Sequence, residues 1–501
     1  MIDWAPMLHG FAVALEPARL GWCLVGVTVG TAVGVLPGLG PAATIALLLP
    51  VTYQLDPVSA IIMLAGIYYG SQYGGSTTSI LMRIPGESSS MVTAYDGYEM
   101  TKKGRAGAAL GMAAVASFVA GTISIVGLML LAPVLGRFAI AFGPAEYFSL
   151  MVLGLTLVAW LGGGSVVKSL AMAVVGLLLA TVGQDPVAAV ERYTFGTQAL
   201  LDGIDLVPVF MGLFGIAEVL RTMEQPPERQ YLATPRGLWP TAQDFRDSVA
   251  PVSRGTVLGF FLGILPGGGA TLASIAAYVT EKRFSRNRHL MGQGAIEGVA
   301  APEAANNAAA TSSFIPLLTL GIPANVVMAM MVAALTLHGV RPGPLLISEA
   351  PDLFWGTVAS MYVGNVVLLI LNLPLIGLFI RVLRLPYPLL APLILLFCII
   401  GAYSVTGRTA EAFTMVVFGI LGYLLGKMDF DAGPLVLALI LGRPMEEALR
   451  QALALARGNL TVFATRPISA GLLICALLAV LLPAVLALRQ RMIRPPPTRA
   501  A

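Results

Sequence analysis

The chain has 501 residues, of which 57% are hydrophobic and 11% are charged, and its mean hydropathy is +0.84. Soluble globular domains are about 45–50% apolar and about 25% charged, so this composition excludes a soluble enzyme and a disordered chain. The net charge of +4 is too small to indicate a nucleic-acid partner. Composition therefore predicts an all-α polytopic protein embedded in a lipid bilayer.

Apolar segments follow one another almost without interruption, and about 20 apolar residues suffice to cross the bilayer hydrocarbon. In chain order the segments are 20–53, 57–83, 106–135, 143–161, 165–184, 203–221, 255–281, 292–321, 323–338, 354–383, 387–403, 410–427, 430–442 and 468–488. Several are too short for a full crossing, so we expect about 12 transmembrane helices and some re-entrant segments. The 55 Gly and 34 Pro residues favour broken helices over plain spans.

The longest polar stretch, residues 222–254, divides the chain into two halves. We assign residues 1–221 to a first repeat half, 222–254 to a cytoplasmic linker, 255–467 to a second repeat half and 468–501 to a C-terminal helix with a basic tail. The N-terminus has no basic leader, so we expect no cleaved signal peptide. Basic residues mark cytoplasmic loops, so the tail is expected in the cytoplasm; its arginines are Arg489, Arg491, Arg494 and Arg499.

Ordered matches between the halves indicate an internal duplication. GVLPGLG at 34–40 matches GILPGGG at 263–269 in five of seven positions, and TTSI at 77–80 matches TSSF at 311–314. An Ile-Pro pair follows each of the latter, at 84–85 and 322–323. Further matches join Ala116, Ser117 and Gly121 to Ala359, Ser360 and Gly364, and Met172, Gly176 and Gly183 to Met415, Gly419 and Gly426.

The basic residues predict that the two repeats have opposite orientations in the membrane. The loop at 54–57 has no Lys or Arg, whereas its counterpart at 282–288 has four. The next loop reverses the bias, because 102–105 has three basic residues and 341–352 has one Arg with two acidic residues. Under the positive-inside rule, equivalent loops then face opposite sides, as in an inverted-topology repeat. Arg137 and Arg381 weaken this contrast, since they occupy similar positions in both halves.

The duplicated Gly-Pro motifs predict helix breaks inside the membrane. Basic residues flank segment 255–281 at both ends, so we expect a hairpin that enters and leaves on one side, with a related break at 37–41. A broken helix exposes free N–H groups and a partial positive charge, which bind carboxylates. Tight helix packing by small residues is the alternative reading. The candidate substrate-binding residues here are Pro37, Gly38, Gly40, Pro266, Gly267, Gly268 and Gly269.

Two polar clusters interrupt otherwise apolar segments, and burying them is costly unless they have partners. The candidate substrate-binding residues in these clusters are Ser71, Gln72, Ser76, Thr77, Thr78, Asn306, Asn307, Thr311 and Ser312. Hydroxyl and amide groups suit a carboxylate or a sodium ion. Alternatively, Ser and Thr hydroxyls bond to carbonyls of their own helix.

Glu303 is the candidate ion-coupling carboxylate, and Ser79 and Ser313 are the candidate ion-coupling hydroxyl residues. Glu297, Arg83 and Glu87 also lie near the polar segments, where an interfacial position is equally compatible with the sequence. The three Cys and three His residues are scattered, so we expect no structural metal and no cofactor beyond a coupling cation, either sodium or a proton. No GxxxxGK[ST] loop occurs, which argues against an ATP-driven pump.

Four stretches of the chain resemble the large membrane subunit of the tripartite tricarboxylate transporters, the TctA family. They are GVLPGLGPAATIALLLP, YYGSQYGGSTTSILMRIPGE, GILPGGGATLASIAAYVTE and PEAANNAAATSSFIPLLTLGIPAN. The resemblance covers about residues 20–485. It implies a carboxylate carrier of the bacterial inner membrane, driven by an ion gradient. It also implies two partners, a small four-helix membrane subunit and a periplasmic solute-binding protein. The family serves many carboxylates, so its name does not identify this substrate.

Other functions remain compatible with the same residues. A stand-alone ion-coupled carrier would need no partner subunits, and an anion channel would use the same broken helices without saturation or ion coupling. A membrane-embedded enzyme would need an acid–base set, for which the polar clusters offer only Glu297 and Glu303.

Overall fold

The computed structural model describes residues 5–36, 39–161, 165–185, 188–224, 237–382 and 387–493. Most of these residues are helical. Within them, the sheet structure is one antiparallel pair, β1 (Gly183–Gln184) and β2 (Glu191–Arg192), in which Gly183 pairs with Arg192. The protein is an all-α membrane protein of many apolar helices, as its composition predicts.

The helices before the polar linker are α1 (Ala5–Ala14), α2 (Pro17–Val35), α3 (Pro41–Thr52), α4 (Pro57–Met82), α5 (Thr93–Lys102), α6 (Ala106–Ile140), α7 (Pro144–Leu161), α8 (Val166–Ala180), α9 (Leu206–Phe210) and α10 (Ala217–Glu224). A π-helical segment, Met211–Ile216, joins α9 to α10.

The helices after the linker are α11 (Ala242–Ile264), α12 (Gly269–Phe284), α13 (Glu297–Ser312), α14 (Phe314–Leu320), α15 (Val326–Leu337), α16 (Leu346–Glu349), α17 (Pro351–Asn372), α18 (Ile376–Val382), α19 (Tyr387–Thr406), α20 (Thr409–Lys427), α21 (Ala432–Leu455), α22 (Val462–Thr465) and α23 (Pro467–Ile493).

Five described helices are long and apolar enough to cross a membrane: Pro17–Val35, Ala106–Ile140, Leu206–Glu224, Pro351–Asn372 and Thr409–Lys427. Shorter apolar stretches belong to α1, α3, α7, α8, α15, α19 and α23. Breaks shorten several expected segments, because 20–53 divides into α2 and α3, and 292–321 contains α13 and α14. The number of about 12 crossings therefore stays a prediction.

In the first half, α2 packs on α4 with no side chain between the two backbones. Gly26, Gly30 and Gly34 lie four residues apart on one face of α2. A Cβ on Gly30 would lie 2.5 Å from the Ile67 carbonyl oxygen, and one on Gly34 would lie 2.4 Å from that of Ser71. Glycine is required along this seam because any larger residue would separate the helices.

The second half repeats this packing between α11 and α13. A Cβ on Gly255 or Gly263 would lie 2.4 Å from the carbonyl oxygen of Ala301 or Ala309, and one on Gly259 would lie 2.2 Å from that of Ala305. The facing helix is itself rich in alanine, so both surfaces are small. In each half the stripe ends at the motif that precedes a helix break.

The two seams bear on one of the sequence matches. Gly34 faces Ser71 and Gly263 faces Ala309, which relates α4 to α13 with an offset of 238 residues. The same offset relates Arg83, which ends α4 at φ 60°, to Gly321, which ends α14 at φ 72°. At this offset, residues 77–80 lie one helical turn away from the segment 311–314 that they match in sequence, and the match itself stays a prediction. Hydroxyl residues are frequent in both helices, and a shift of one turn keeps them on the same face.

Segment 255–281 has the hairpin geometry expected from its glycines. The Arg254 guanidinium donates to both carboxylate oxygens of Glu281 at 2.6 and 2.7 Å, which joins α11 to α12 near the open end. At the other end Gly267 adopts φ 78°, and its N–H donates to the Ala324 carbonyl oxygen at 2.8 Å. The tip of this hairpin thus contacts the second break, residues 321–325.

Asp96 of α5 connects the two halves, a role that no sequence pattern indicated. It is fully buried. One carboxylate oxygen accepts the N–H groups of Gly292, Gly294 and Ala295 at 2.8 Å each, and the other accepts the Tyr278 hydroxyl at 2.9 Å. Asp96 therefore fixes the loop between α12 and α13 against α5.

Replacing Gly30 by alanine should destabilise the protein by about 1–3 kcal/mol, because the new methyl group overlaps the α4 backbone. Gly21→Ala is the matched control, since Gly21 lies on the same helix and its Cβ would meet nothing within 4 Å. Thermal unfolding of the purified chain in detergent measures the difference. Equal stability of the two variants would contradict the close backbone contact between α2 and α4 at Gly30.

Asp96→Ala should lower the free energy of unfolding by about 3 kcal/mol or more, because three N–H groups, of which that of Ala295 is buried, and the Tyr278 hydroxyl lose their acceptor. Glu99→Ala is the control on the same helix, where the carboxylate pairs with Lys102 near the surface and contributes at most about 1 kcal/mol. Denaturant titration of both variants measures the contrast. A loss as small for Asp96→Ala as for Glu99→Ala would show that Asp96 does not hold the halves together.

Candidate functional site

The polar cluster of α4 lies inside the protein and not on its lipid-facing surface. Its predicted members Ser71, Gln72, Ser76, Thr77, Thr78 and Ser79 are all buried. Buried polar groups require hydrogen-bond partners. Their partners come from both halves of the chain and separate the predicted residues into two groups.

The first group surrounds Glu303 of α13, which is fully buried. One carboxylate oxygen accepts the Ser76 hydroxyl of α4 at 2.5 Å, and the other accepts the Thr93 hydroxyl of α5 at 2.6 Å. The Asn306 amide lies 3.4 Å from the first oxygen. These distances are typical of hydroxyl groups that donate to an ionised carboxylate.

Asn307 extends this group to α6. Its amide nitrogen donates to the Ser117 hydroxyl oxygen at 2.7 Å and to the main-chain oxygen of Glu303 at 3.1 Å. It also donates to the Asn306 side-chain oxygen at 2.5 Å. Four helices, α4, α5, α6 and α13, therefore meet at one carboxylate and its amide neighbours.

The second group joins the second half of α4 to the segment that follows it. Glu87 is in the segment between α4 and α5, and its carboxylate is 3.5 Å from the Ser71 hydroxyl. The Gln72 side-chain oxygen accepts the Ser89 hydroxyl at 2.6 Å. Ser79 lies 2.8 Å from Ser90, oxygen to oxygen. Residues 83–92 are thus held against the polar face of α4.

The second-half hairpin contacts the same segment. The Thr271 hydroxyl oxygen is 2.9 Å from that of Ser88, and Ser274 donates to the main-chain oxygen of Ser89 at 2.5 Å. Both threonine and serine lie in the first turns of α12. The N-terminal turns of α12 are thereby placed beside Ser88 and Ser89.

The second break completes this region. The Asn325 side-chain oxygen accepts the Met328 N–H at 3.0 Å and so caps α15. Its amide nitrogen donates to the Tyr68 hydroxyl of α4 at 3.1 Å. Gly267 is enclosed on its other side by α7, because a Cβ there would lie 2.6 Å from the Val158 Cα. We call residues 83–92, 265–271 and 321–325 the break region.

The remaining predicted residues have more local roles. Thr78, Ser79, Ser312 and Ser313 each donate to a carbonyl three or four residues earlier in the chain. Ser79 and Ser313 do not contact the Glu303 carboxylate. Thr311 is buried in α13, and Gly40 is the N-cap of α3. Pro37 and Gly38 lie outside the described residues.

Sequence reasoning missed Thr93, Asn325 and Tyr68, and it noted Ser117 only as a repeat match. Each of them lies outside the two polar clusters that the sequence pattern singles out. Glu297, which the sequence grouped with Glu303, instead accepts the Asn287 amide at 2.6 Å near the start of α13. Only their contacts in the folded protein identify these residues as part of the site.

A cavity of about 1010 Å³ adjoins the second break, residues 321–325. Its wall includes Gly321 and Ile322 from the break, Tyr147 and Met151 from α7, and residues of α15, α20 and α21. Charged residues of both signs line it: Asp202, Asp205, Arg341, Arg408, Glu411, Arg443 and Glu447. We call this cavity the vestibule, since it adjoins residues 321–322.

The basic loops predicted to lie at one end of the molecule do meet there. The Lys103 ammonium donates to the Gln293 carbonyl oxygen, and Arg105 donates to both Asp244 carboxylate oxygens at 2.7 Å. Burial raises the pKa of Asp244, but the hydrogen bonds from Arg105 and Thr241 outweigh it and leave the pKa below its ordinary value. At the opposite end, His9 contacts Asp352 at 2.8 Å.

Comparison with known proteins agrees with the resemblance of the motifs. The profile described as the tripartite tricarboxylate transporter TctA family matches residues 20–437. An uncharacterised 52.8 kDa protein of Agrobacterium vitis, from the 3′ region of ttuC′ in TAR-I, is 52% identical over 483 residues, which is 96% of each chain.

A second Agrobacterium vitis protein, from the 3′ region of ttuC′ in TAR-II, is 52% identical over 237 residues, 46% of this chain and 98% of its own length. No solved structure matches the chain. The profile covers most of the residues, including the helix breaks and both polar groups. The chain therefore belongs to the tripartite tricarboxylate transporter TctA family, a family of membrane transporters and not a class of enzymes.

Proposed function

We propose that the chain is the large membrane subunit of an ion-gradient-driven carrier that takes up a carboxylate across the bacterial inner membrane. Its partners would be a periplasmic solute-binding protein and a small four-helix membrane subunit. Family membership supports transport. The observation that carries the proposal is the contact between two helix breaks, in which the Gly267 N–H donates to the Ala324 carbonyl oxygen at 2.8 Å.

The break region supplies the groups that a carboxylate requires. α12 and α15 both begin there, and the first N–H groups of a helix carry a partial positive charge. Hydroxyl groups of Ser88 and Thr271 lie beside them, 2.9 Å apart. Paired broken helices near the middle of a membrane protein are the usual substrate site of secondary carriers.

An inverted-topology repeat is part of this proposal. The loops 102–105 and 285–294 share one end of the molecule, although they follow different helices of their halves. Basic residues favour the cytoplasm for that end, along with the linker 222–254. The first hairpin, α2 and α3, opens at the other end, where the Arg19 Nε atom lies 4.0 Å from a carboxylate oxygen of Asp56. The second hairpin, α11 and α12, opens at the basic end, where Arg254 pairs with Glu281.

The vestibule suggests the direction of entry. Its wall contains Arg341 and Pro342 beyond α15, and the basic-residue pattern assigns that loop to the side opposite the loop 102–105. A periplasmic binding protein would release its carboxylate there, and the substrate would reach the break at residues 321–322. Glu303, buried and bonded only through hydroxyl and amide groups among the described residues, is our candidate for the group that couples a cation to this movement.

Gly267→Ala should reduce carboxylate uptake at least tenfold, because alanine disfavours φ 78° and its methyl group would overlap the α7 backbone. Uptake of ¹⁴C-labelled di- and tricarboxylates is measured in cells that also express the two partner subunits. Gly458→Ala is the matched control, since Gly458 has φ 82° but its Cβ would meet nothing within 4 Å. Wild-type uptake by Gly267→Ala, at a normal amount in the membrane, would refute the proposed site.

Uptake should saturate with substrate and should stop when an ionophore dissipates the ion gradient, because a secondary carrier has no other energy source. Proteoliposomes that contain all three components and no ATP allow both measurements. Flux that rises linearly with concentration would indicate an anion channel. Undiminished uptake by the chain without its partners would indicate a stand-alone carrier.

A further inference from the structure

A small enclosed cavity lies beside the Glu303 carboxylate. Its volume is about 10 Å³, which is close to the minimum that holds one water molecule or one bare ion. Its polar wall consists of Ser76, Thr77, Ser117, Glu303 and Asn372, and its apolar wall of Tyr73, Leu110, Ala113 and Ala114. The cavity is distinct from the break region and from the vestibule, and its oxygens come from α4, α6, α13 and α17.

Asn372, the last residue of α17, has an unsatisfied oxygen in this cavity wall. The side chain is only 4% exposed, and its amide nitrogen donates to the Leu368 carbonyl oxygen at 2.9 Å. That bond fixes the orientation of the amide, because a carbonyl cannot accept from the amide oxygen. The remaining oxygen has no hydrogen-bond partner in the described part of the chain. A buried carbonyl oxygen without a partner is costly and favours a positively charged or hydrogen-donating occupant.

The charge around the cavity also lacks compensation. The Glu303 carboxylate accepts hydroxyl groups at 2.5 and 2.6 Å, and it forms no ion pair with the Lys, Arg or His residues that the structure describes. An isolated carboxylate inside a membrane protein is expensive. One negative charge surrounded by neutral oxygens matches a monovalent cation, and hydroxyl, amide and carboxylate oxygens suit a hard cation.

We propose that this cavity binds one sodium ion, held by the Glu303 carboxylate, the Asn372 side-chain oxygen and the hydroxyl oxygens of Ser76, Thr77 and Ser117. The inference rests on the proposed function in one respect, since it identifies the coupling ion of that carrier. Bound sodium would join helices of both halves around one charge. It would therefore stabilise the conformation in which α4, α6, α13 and α17 are packed together.

The test measures sodium binding directly on the purified full-length chain in lipid nanodiscs. Binding of ²²Na⁺ and the sodium dependence of the melting temperature are measured at constant ionic strength, with choline as the replacement cation. We expect saturable binding and a rise in melting temperature with sodium. Glu303→Gln and Asn372→Leu, which nearly conserve side-chain volume, should each weaken sodium binding at least tenfold.

Glu297→Gln is the control, because Glu297 is buried on the same helix and bonds to Asn287 outside the cavity. It should retain wild-type sodium affinity. Size-exclusion chromatography and the melting temperature without sodium establish that each variant is folded. Equal sodium affinity in wild type, Glu303→Gln and Asn372→Leu would overturn the site.

A melting temperature that responds to pH but not to sodium would also overturn it, and would assign Glu303 to proton transfer. Carboxylate uptake by the same preparation, supplied with its partners, separates the two proposals. Carboxylate uptake without sodium binding would refute the sodium site, while the proposed carrier function would stand. Sodium binding that Glu303→Gln removes, in a complex that transports no carboxylate, would support the site and refute the proposed function.

Discussion

Two seams of direct backbone contact determine the arrangement of this protein. α2 against α4 and α11 against α13 approach so closely that a Cβ at Gly30 or Gly259 would lie 2.5 or 2.2 Å from a facing carbonyl oxygen. In a membrane there is little hydrophobic gain from helix association, so close van der Waals contact between small residues must supply the stability. Each glycine stripe leads directly into a helix break, and the seam therefore fixes where each break lies.

The breaks in turn depend on contacts between the halves. The N–H of Gly267 is satisfied by Ala324, and Thr271 and Ser274 of α12 bond to residues 88 and 89 of the other half. Backbone groups released from a helix need such partners in the absence of water. Asp96 likewise satisfies backbone groups at the basic end, where its carboxylate accepts hydrogen bonds from three N–H groups of the loop before α13. The halves are joined wherever a helix is interrupted.

The buried polar side chains also bond to partners on several different helices. Glu303 draws hydroxyl groups from α4 and α5, and Asn307 draws one from α6. A group with so many partners from different helices responds to any change in their packing. Glu297, at the start of α13, instead bonds to Ser285 and Asn287 of a single loop.

The sequence by itself determined the class of protein, its family and the helix breaks at the two Gly-Pro motifs, whereas the breaks at 83–92 and 321–325 emerged only from the structure. Hydropathy, Gly and Pro act locally, so the motifs at 34–40 and 263–269 identify their breaks without knowledge of the neighbours. It also singled out Glu303, because a carboxylate in an apolar segment is rare. The tertiary structure alone decided that Thr93, Ser117 and Asn372 surround Glu303, that Ser79 and Ser313 do not, and that α4 aligns with α13 at an offset of 238 residues. Short hydroxyl motifs match equally well one turn apart, whereas a glycine seam several turns long fits its partner in a single register.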